Sequence, residues 1–338
     1  MLDVFNDTHC GAIRSAGTTP RTQWELRQWN LELFSTLLNS SDNDIMYLGD
    51  LFDTFSVPLS DFWGVYRLLD NWLARHPNRK MYLVAGNHDL SKTSTTMSSF
   101  HLLGGILSQH HAGVQVITEP CGIRYGYVIP HLPNQALFDQ ALSEVPMHSR
   151  ALFLHCNYDN NFAAQSDQSL NLTAAQAAAL PVEYIVIAHE HQTRTIGKKV
   201  FIPGNQIPTS VADWLGTDMK RFVQIDRGCA PTLVPCLEPT GIFERVDWRE
   251  PEMVVAKFIR LEGSASADEA QEVIETVARY RQQSQALVVT NAVRIQAGDS
   301  ASSFADSLET IKAFDVLAAL KELLEEREFN LVQEALGK

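Results

Sequence analysis

Residues of metal-ligand type recur along this 338-residue chain at the ends of short apolar runs: Asp7 and His9, Asp50, Asn87, His155, and the pair His189 and His191. Carboxylate, imidazole and amide oxygen together make a donor set for two hard-to-borderline divalent cations. Asp7-Thr8-His9 alone says little, because Asp-x-His also serves in turns and helix caps. Gly49-Asp50-Leu51-Phe52-Asp53 says more, since it follows the run Ile45–Leu48 directly. A tight glycine turn there sets Asp50 at a strand's carboxyl end, where its two oxygens can bridge cations roughly 3.5–4 Å apart, a spacing suited to activating water for in-line displacement. Gly86-Asn87-His88-Asp89 follows Tyr82–Ala85 and is the most specific local signal. Asn87 offers a neutral oxygen ligand, while His88 stays off the metal and can donate a proton to a departing oxygen, with Asp53 placed to orient its ring.

His155 follows Ala151–Leu154, and His189 and His191 follow Ile185–Ala188. Residues i and i+2 of an extended segment share a face, so His189 and His191 can enter one site and each serve a different cation. A solitary histidine such as His155 more often belongs to a satisfied core. Its place at a strand end makes it a ligand candidate.

These positions need a scaffold of strands. Leu2–Phe5, Ile45–Leu48, Met81–Ala85, Ala151–Leu154 and Tyr184–Ile187 are compact apolar runs of the kind buried on both faces, and each leads into a polar cluster. Between the first two, Leu26, Trp29, Leu33 and Leu37 recur at helical steps and predict a core-packing helix. Leu59–His76 predicts a second helix closed by Pro77, and Val114–Ile117 and Arg124–Ile129 predict further strands. Pro203-Gly204-Asn205 marks a loop before the strands Arg221–Ile225 and Thr232–Pro235. The alternation is that of an α/β fold.

The first domain then spans residues 1–240. A small β-α-β unit over 245–297 follows, from strand Val254–Leu261, helix Asp268–Gln283 and strand Ala286–Ile295. After a linker over Gly298–Ser303, Phe314, Leu317, Leu320 and Leu324 form one stripe of an amphipathic helical tail over 304–338, suited to packing on its own protein or to a partner's groove.

Composition narrows the class. Charged residues at 20% and hydrophobic ones at 45% are ordinary for a globular protein, and no apolar run reaches the roughly 18 residues that cross a bilayer, so no membrane insertion is expected. The N-terminus lacks the basic and apolar segments of a secretory signal. Five cysteines without a Cys-x-x-Cys pair argue against a disulfide framework and a thiolate zinc site, and fit a reducing cytoplasm; Cys10 and Cys156 read as small packing residues. A formal charge of −13 weighs against general polyanion binding, so any nucleic-acid contact must be local.

The order Asp-x-His, Gly-Asp-x-x-Asp, Gly-Asn-His-Asp, His and x-His-x-His resembles the calcineurin-like metallophosphoesterases over about the first 240 residues. Asp50-Leu51-Phe52-Asp53-Thr54, Ala85-Gly86-Asn87-His88-Asp89 and Ile202-Pro203-Gly204-Asn205-Gln206-Ile207-Pro208 look like the DNA-repair nucleases of the SbcD type, and among these the recombination endonuclease subunits of T-even-like bacteriophages. Ala188 stands where the family usually has glycine, and Thr8 and Cys10 depart from commoner residues beside the ligands.

The resemblance implies a β-sandwich flanked by helices, with the 245–297 unit as a DNA-capping domain. It implies that Asp7, His9 and His191 hold one cation, that Asn87, His155 and His189 hold the other, and that Asp50 bridges them, most simply as two Mn²⁺. His88, with Asp53, assists the leaving group. It further implies DNA as substrate, an SbcC-type coiled-coil ATPase docked on the tail, a homodimer, and a cytoplasmic setting, a bacterial host's if the gene is a phage's. Arg14, Arg21, Lys92, Lys198 and Lys199 are candidate phosphate contacts. A metallophosphatase or phosphodiesterase of small phosphoesters or nucleotides is the alternative, and a scaffold that merely retains the ligands is a third.

Overall fold

A computed structural model of the chain describes residues 1–13, 17–90, 96–160, 170–210, 213, 219–226, 228, 230–238, 240–250 and 253–296. Strands β1 (Leu2–Phe5), β2 (Asp44–Leu48), β3 (Met81–Val84) and β4 (Val114–Ile117) run parallel, joined through helices α1 (Pro20–Asn39), α2 (Leu59–Arg75) and α3 (Ser99–His110). Then come β5 (Cys121–Ile123), β6 (Gly126–Ile129), α4 (Gln135–Ser143), β7 (Ala151–His155), β8 (Asn157–Tyr158), β9 (Asn171–Leu172), α5 (Ala174–Ala179), β10 (Tyr184–Ala188), β11 (Arg194–Ile196) and β12 (Val200–Ile202). A hairpin of β13 (Lys220–Ile225) and β14 (Thr232–Leu237) returns antiparallel to β1. Two six-stranded sheets result, in the orders β14-β13-β1-β2-β3-β4 and β11-β12-β10-β7-β6-β5.

The sheets are apolar on both faces because both faces are covered. Leu2, Val4, Met46, Leu48 and Val84 meet Val128, Phe153, Val186 and Ala188 between the sheets. Their alternates Ile45, Tyr47 and Leu83 turn outward onto Phe34, Leu69 and Phe100 of α1, α2 and α3. On the other sheet Leu152, Leu154, Ile185 and Ile187 turn outward onto Phe138 and Ala141 of α4 and Ala177 of α5. Period-2 alternation with both positions apolar is the pattern of a strand in a helix-flanked sandwich. The α/β fold expected from the sequence is the one observed.

Some boundaries differ for local reasons. The run Arg124–Ile129 is not one strand: Arg124 and Tyr125 form the turn of a hairpin in which Ile123 pairs with Gly126. Gly126 takes φ +157 there, and a side chain would collide with the Ala151 carbonyl. The helical stripe packs as expected, shared between two clusters: Leu26 and Trp29 pack with Phe243, Phe258, Leu287 and Val288, while Leu33 and Leu37 join Phe34 at the main core.

Those partners belong to a smaller parallel sheet of β15 (Phe243–Asp247), β16 (Phe258–Glu262) and β18 (Val288–Asn291), with β17 (Ser264–Ser266), β19 (Arg294–Gln296) and α6 (Ala270–Gln283) completing the chain order. The strand expected over Val254–Leu261 starts only at Phe258, and that over Ala286–Ile295 is split in two, between β18 and β19. The chain divides into two compact units, the first being Met1–Glu262 with Thr276–Ala292. The second unit's described residues are Gly263–Glu275 and 293–296, where β17 and β19 pair in parallel. The linker and tail expected over 298–338 lie outside the described residues.

Candidate metal centre

The candidate ligands sit where parallel strands end. β1 gives way to Asp7 and His9, β2 to Asp50, β3 to Asn87 and His88, β7 ends on His155, and β10 leads into His189 and His191. Both sheets therefore present their carboxyl edges to one crevice, the usual place for a site in open α/β sheets. The turns are tight enough to force unusual backbone. Asp7 (φ 49), His9 (φ 46), Asp50 (φ 52) and His189 (φ 93) all lie in the left-handed region, where among the described non-glycine residues only Asp159 joins them. Such conformations cost about 1–3 kcal/mol each and persist where the surroundings over-determine them. Here Asp7 N donates to the Gly49 carbonyl at 3.1 Å and His9 N to the Asp50 carbonyl at 3.1 Å, locking the first two turns together.

The side chains converge. His9 Nε2 and His191 Nε2 face each other at 3.1 Å. Asp50 stands between the two halves, its Oδ2 3.9 Å from His9 Nε2 and 3.4 Å from His155 Nε2. Asn87 Oδ1 lies 3.0 Å from both His155 Nε2 and His189 Nδ1. Asp7 Oδ2 accepts from the His189 main chain at 2.9 Å and from Asn6 Nδ2 at 2.5 Å, whereas Asp7 Oδ1 is buried with no hydrogen-bond partner. Three sets among the described residues, Asp7/His9/His191, His9/Asp50/His88 and Asp50/His155/His189, each bring ligand atoms within 4.8 Å of one another.

The far sides of the rings decide their tautomers. His155 Nδ1 donates to the Leu48 carbonyl at 3.0 Å, which leaves Nε2 as the free donor atom. His191 Nδ1 meets Asp213 Oδ1 at 2.5 Å, again leaving Nε2 toward the centre. Backing of this kind fixes a ligand imidazole's orientation and raises its basicity. Asp53 behaves differently from the sequence-based expectation. Its main-chain carbonyl, not its carboxylate, receives His88 Nδ1 at 2.5 Å, and the carboxylate turns to His9 Nδ1 at 3.3 Å. Since a carbonyl only accepts, His88 carries its proton on Nδ1.

The electrostatics are those of a site that wants cations. Burial disfavours charge on His9 and His155, yet the Asp53 hydrogen bond and Asp50 and Asp7 lift His9 to about 9, and Asp50 chiefly lifts His155 to about 9. Against its own burial, Asp50 is held well below the carboxylate range by His155 and His9. Burial and the repulsion of His155 lower His189 to about 4.

Several supporting residues had escaped the sequence reading. Asp89, pushed up to about 7 by burial and the Asp50 charge, accepts from Gly86 N (3.0 Å), Phe52 N (3.3 Å) and Leu51 N (3.4 Å) and so joins the β2 and β3 turns. Gln206 brackets Asn6, accepting from Asn6 N at 2.7 Å and donating to Asn6 Oδ1 at 3.0 Å. Asp89 and Gln206 lay inside motifs already noticed, while Asp213 had no local signal. Of the candidate phosphate contacts, Arg21 pairs with Glu25, Lys199 donates to the Leu180 carbonyl at 2.9 Å, Lys198 is exposed, and Arg14 and Lys92 lie outside the described residues.

The donors fit divalent ions: a buried unpartnered carboxylate oxygen on Asp7, imidazole nitrogens turned inward by their backing groups, and an amide oxygen. A fold that presents such a cluster at the carboxyl edges of two sheets defines a metal-dependent hydrolase class, and residues 2–193 match the model of the calcineurin-like phosphoesterases. The chain belongs to that family, whose members use divalent metals. No curated protein sequence matches it. Among solved structures it is similar to the TT1561 protein of Thermus thermophilus, at 11% identity and a TM-score of 0.40, covering 70% of this chain and 98% of the other.

Proposed function

We propose that the protein is a two-metal phosphodiesterase acting on DNA. The observation that carries the phosphodiesterase reading is the chain of candidate ligand groups Asp7/His9/His191, His9/Asp50/His88 and Asp50/His155/His189, in which Asp50 stands between the outer two and His88 meets it at the middle. Asp7, His9 and His191 would hold one ion, Asn87, His155 and His189 the other, with Asp50 common to both. When bound, such a pair supplies Lewis-acid polarisation of phosphoryl oxygens and makes water nucleophilic near neutral pH. The chain's own part follows from its geometry. With Nδ1–H held by the Asp53 carbonyl, Nε2 is the nitrogen of His88 left to exchange protons, and once it has taken up a second proton the imidazolium can pass that proton from Nε2 to the departing oxygen and return to the Nδ1–H tautomer. Its main-chain N donates to Asp50 Oδ1 at 3.0 Å, which keeps the proton donor in register with the bridging carboxylate.

DNA as the substrate is supported by the SbcD-type motifs around Asp50, Asn87 and Pro203, as is an SbcC-type ATPase partner. The segment 245–297 as a capping unit, the 304–338 tail as the docking element, and manganese as the metal belong to the same reading. Homodimerisation is supported by apolar side chains left exposed around α2 and α3: Leu59, Trp63, Met97 and Leu102. The thiols Cys10, Cys121, Cys156 and Cys236 are free, consistent with a reducing cytoplasm. One observation favours the small-phosphoester alternative: the net charge is −13, and Arg21 and Lys199 are already engaged.

End-labelled linear DNA and a small chromogenic phosphodiester, each with Mn²⁺, Mg²⁺ or Zn²⁺ and with or without the ATPase, separate the readings. DNA cleavage that stops with chelator and falls at least 100-fold in His88→Ala, with metal binding retained, is the expected result. Turnover of the small ester alone would remove DNA from the proposal. Sedimentation velocity of the same samples should give a dimer alone and a larger complex with the ATPase; a monomer in both would remove the partners.

A further inference from the structure

We infer that the protein has a second binding site, a slot at the amino edges of the two sheets, and that it takes a nucleoside monophosphate. The slot has a volume of about 560 Å³. Ile225 and Asp226 line it from the first sheet, where Ile225 ends β13 beside the start of β1. Arg124 and Tyr125 of the β5–β6 turn, Arg150, and the first residues of β7 and β10, Ala151 and Tyr184, line it from the second. The metal centre is at the other end of these strands. β7 and β10 each run five residues from the slot toward His155 and His189, a separation of roughly 13–17 Å. Nothing in the slot depends on ions at that centre or on DNA as its substrate.

The lining carries the two chemistries a nucleotide needs. Each arginine lies over a tyrosine ring: the Arg124 guanidinium carbon is 5.5 Å from the Tyr125 centroid, and that of Arg150 is 5.4 Å from the Tyr184 centroid. A guanidinium held against one ring can stack a second planar group on its other face. The carboxylates beside the arginines leave donors to spare. Asp44 Oδ2 is 3.4 Å from Arg124 Nη1 but takes a shorter bond from Tyr125 Oη at 2.8 Å, and Asp44 Oδ1 accepts from Lys80 N at 3.0 Å, so Asp44 is satisfied without Arg124. Arg150 Nε donates to Glu183 Oε2 at 2.9 Å, but the Glu183 side chain is 59% exposed, and so exposed a pair holds weakly. A guanidinium has five N–H donors and can grip a phosphate through two of them at once. A lone phosphate needs only one such group. A strand would bring further phosphates against Asp44, Glu183 and Asp226, in a chain of net charge −13. Asp226 instead suits the donors of a nucleoside, its sugar hydroxyls or a base amino group. The volume lies within the roughly 300–1,000 Å³ of small-molecule sites.

The test titrates AMP, adenosine, inorganic phosphate and a 5′-phosphorylated oligodeoxynucleotide into full-length protein held in excess EDTA, and reads binding by isothermal titration calorimetry. AMP should bind, with adenosine and phosphate each at least about 10-fold weaker. Arg150→Gln should weaken AMP about 10- to 100-fold, and Tyr184→Leu about 5- to 100-fold. Glu183→Gln removes the carboxylate that competes for Arg150 and should tighten AMP about 2- to 5-fold, a gain that misfolding cannot imitate. Adenosine or phosphate binding as tightly as AMP, an oligonucleotide binding more tightly than AMP, AMP binding unchanged in both Arg150→Gln and Tyr184→Leu, or no AMP binding at all would each overturn the assignment. With EDTA present throughout, each of these results leaves the two-metal reading untouched.

Discussion

Replacing Gly49 with alanine tests whether the turn after β2 must be glycine because of its backbone or because of its neighbour, and the structure says both. Gly49 has φ +89, where an L side chain costs about 1–2 kcal/mol. A Cβ there would also overlap the His155 imidazole, with Cγ and Cε1 only 2.7 Å away. His155 cannot retreat easily: it is fully buried, and its Nδ1 is bonded to the Leu48 carbonyl at 3.0 Å. Overpacking of that kind adds about 1–3 kcal/mol, so the total loss should be about 2–5 kcal/mol. Gly105→Ala is the matched control, because nothing lies within 4 Å of its Cβ and it sits inside α3. That change should stabilise by about 0.5–1 kcal/mol. Urea unfolding of the chelated proteins reads both changes, and metal titration reads whether His155 has left its place. A Gly49→Ala protein within about 0.5 kcal/mol of wild type and with unaltered metal binding would refute the reasoning.

Proton linkage gives a second expectation. His9 and His155, raised to about 9 from the usual 6.5, stabilise the metal-free fold fully below pH 6.5 and lose that contribution as pH rises through 9. The chelated protein should therefore melt at a lower temperature at pH 9.5 than at pH 7, and divalent-ion affinity should increase across the same window as protons cease to compete. A melting temperature that rises with pH across this range would contradict the assignment. A third concerns Arg27, whose Nη1 donates to the Asp61 carboxylate at 2.9 Å between α1 and α2. Arg27→Met strands a carboxylate that is 2% exposed and should cost about 3–5 kcal/mol in chemical denaturation, with recovery in the double variant carrying Asp61→Leu. A single variant as stable as wild type would disprove it.

What could be read from the sequence was what local pattern determines. Two-faced apolar runs ending in Gly-Asp or Gly-Asn report both a buried parallel strand and the turn after it, so the seven candidate ligands could be placed at strand ends without a structure. Asp53 shows the limit of that method. Spacing put it near His88, but not whether carbonyl or carboxylate would face the ring, which the conformation of the Leu51–Thr54 turn decides. Asp213 was invisible because its partner, His191, is 22 residues away and its own neighbours form no motif. Periodicity placed Trp29 on the packed face of α1, but not which sheet would cover it.

The hydrogen bond between His189 N and Asp7 Oδ2 joins residues 182 positions apart. During synthesis at about 5–20 residues per second, roughly 10–40 s separate the emergence of these two partners. For most of that interval, once Asp50 has been made, the nascent chain carries Asp7, His9 and Asp50 without His189 and His191, which complete the two sets. A growing polypeptide in this state resembles a loose chelator more than an enzyme, and it presents the bare edge of β1 until β13 arrives to cover it. The order in which the ribosome delivers the two sheets thus delays assembly of the centre until most of the first unit has been made.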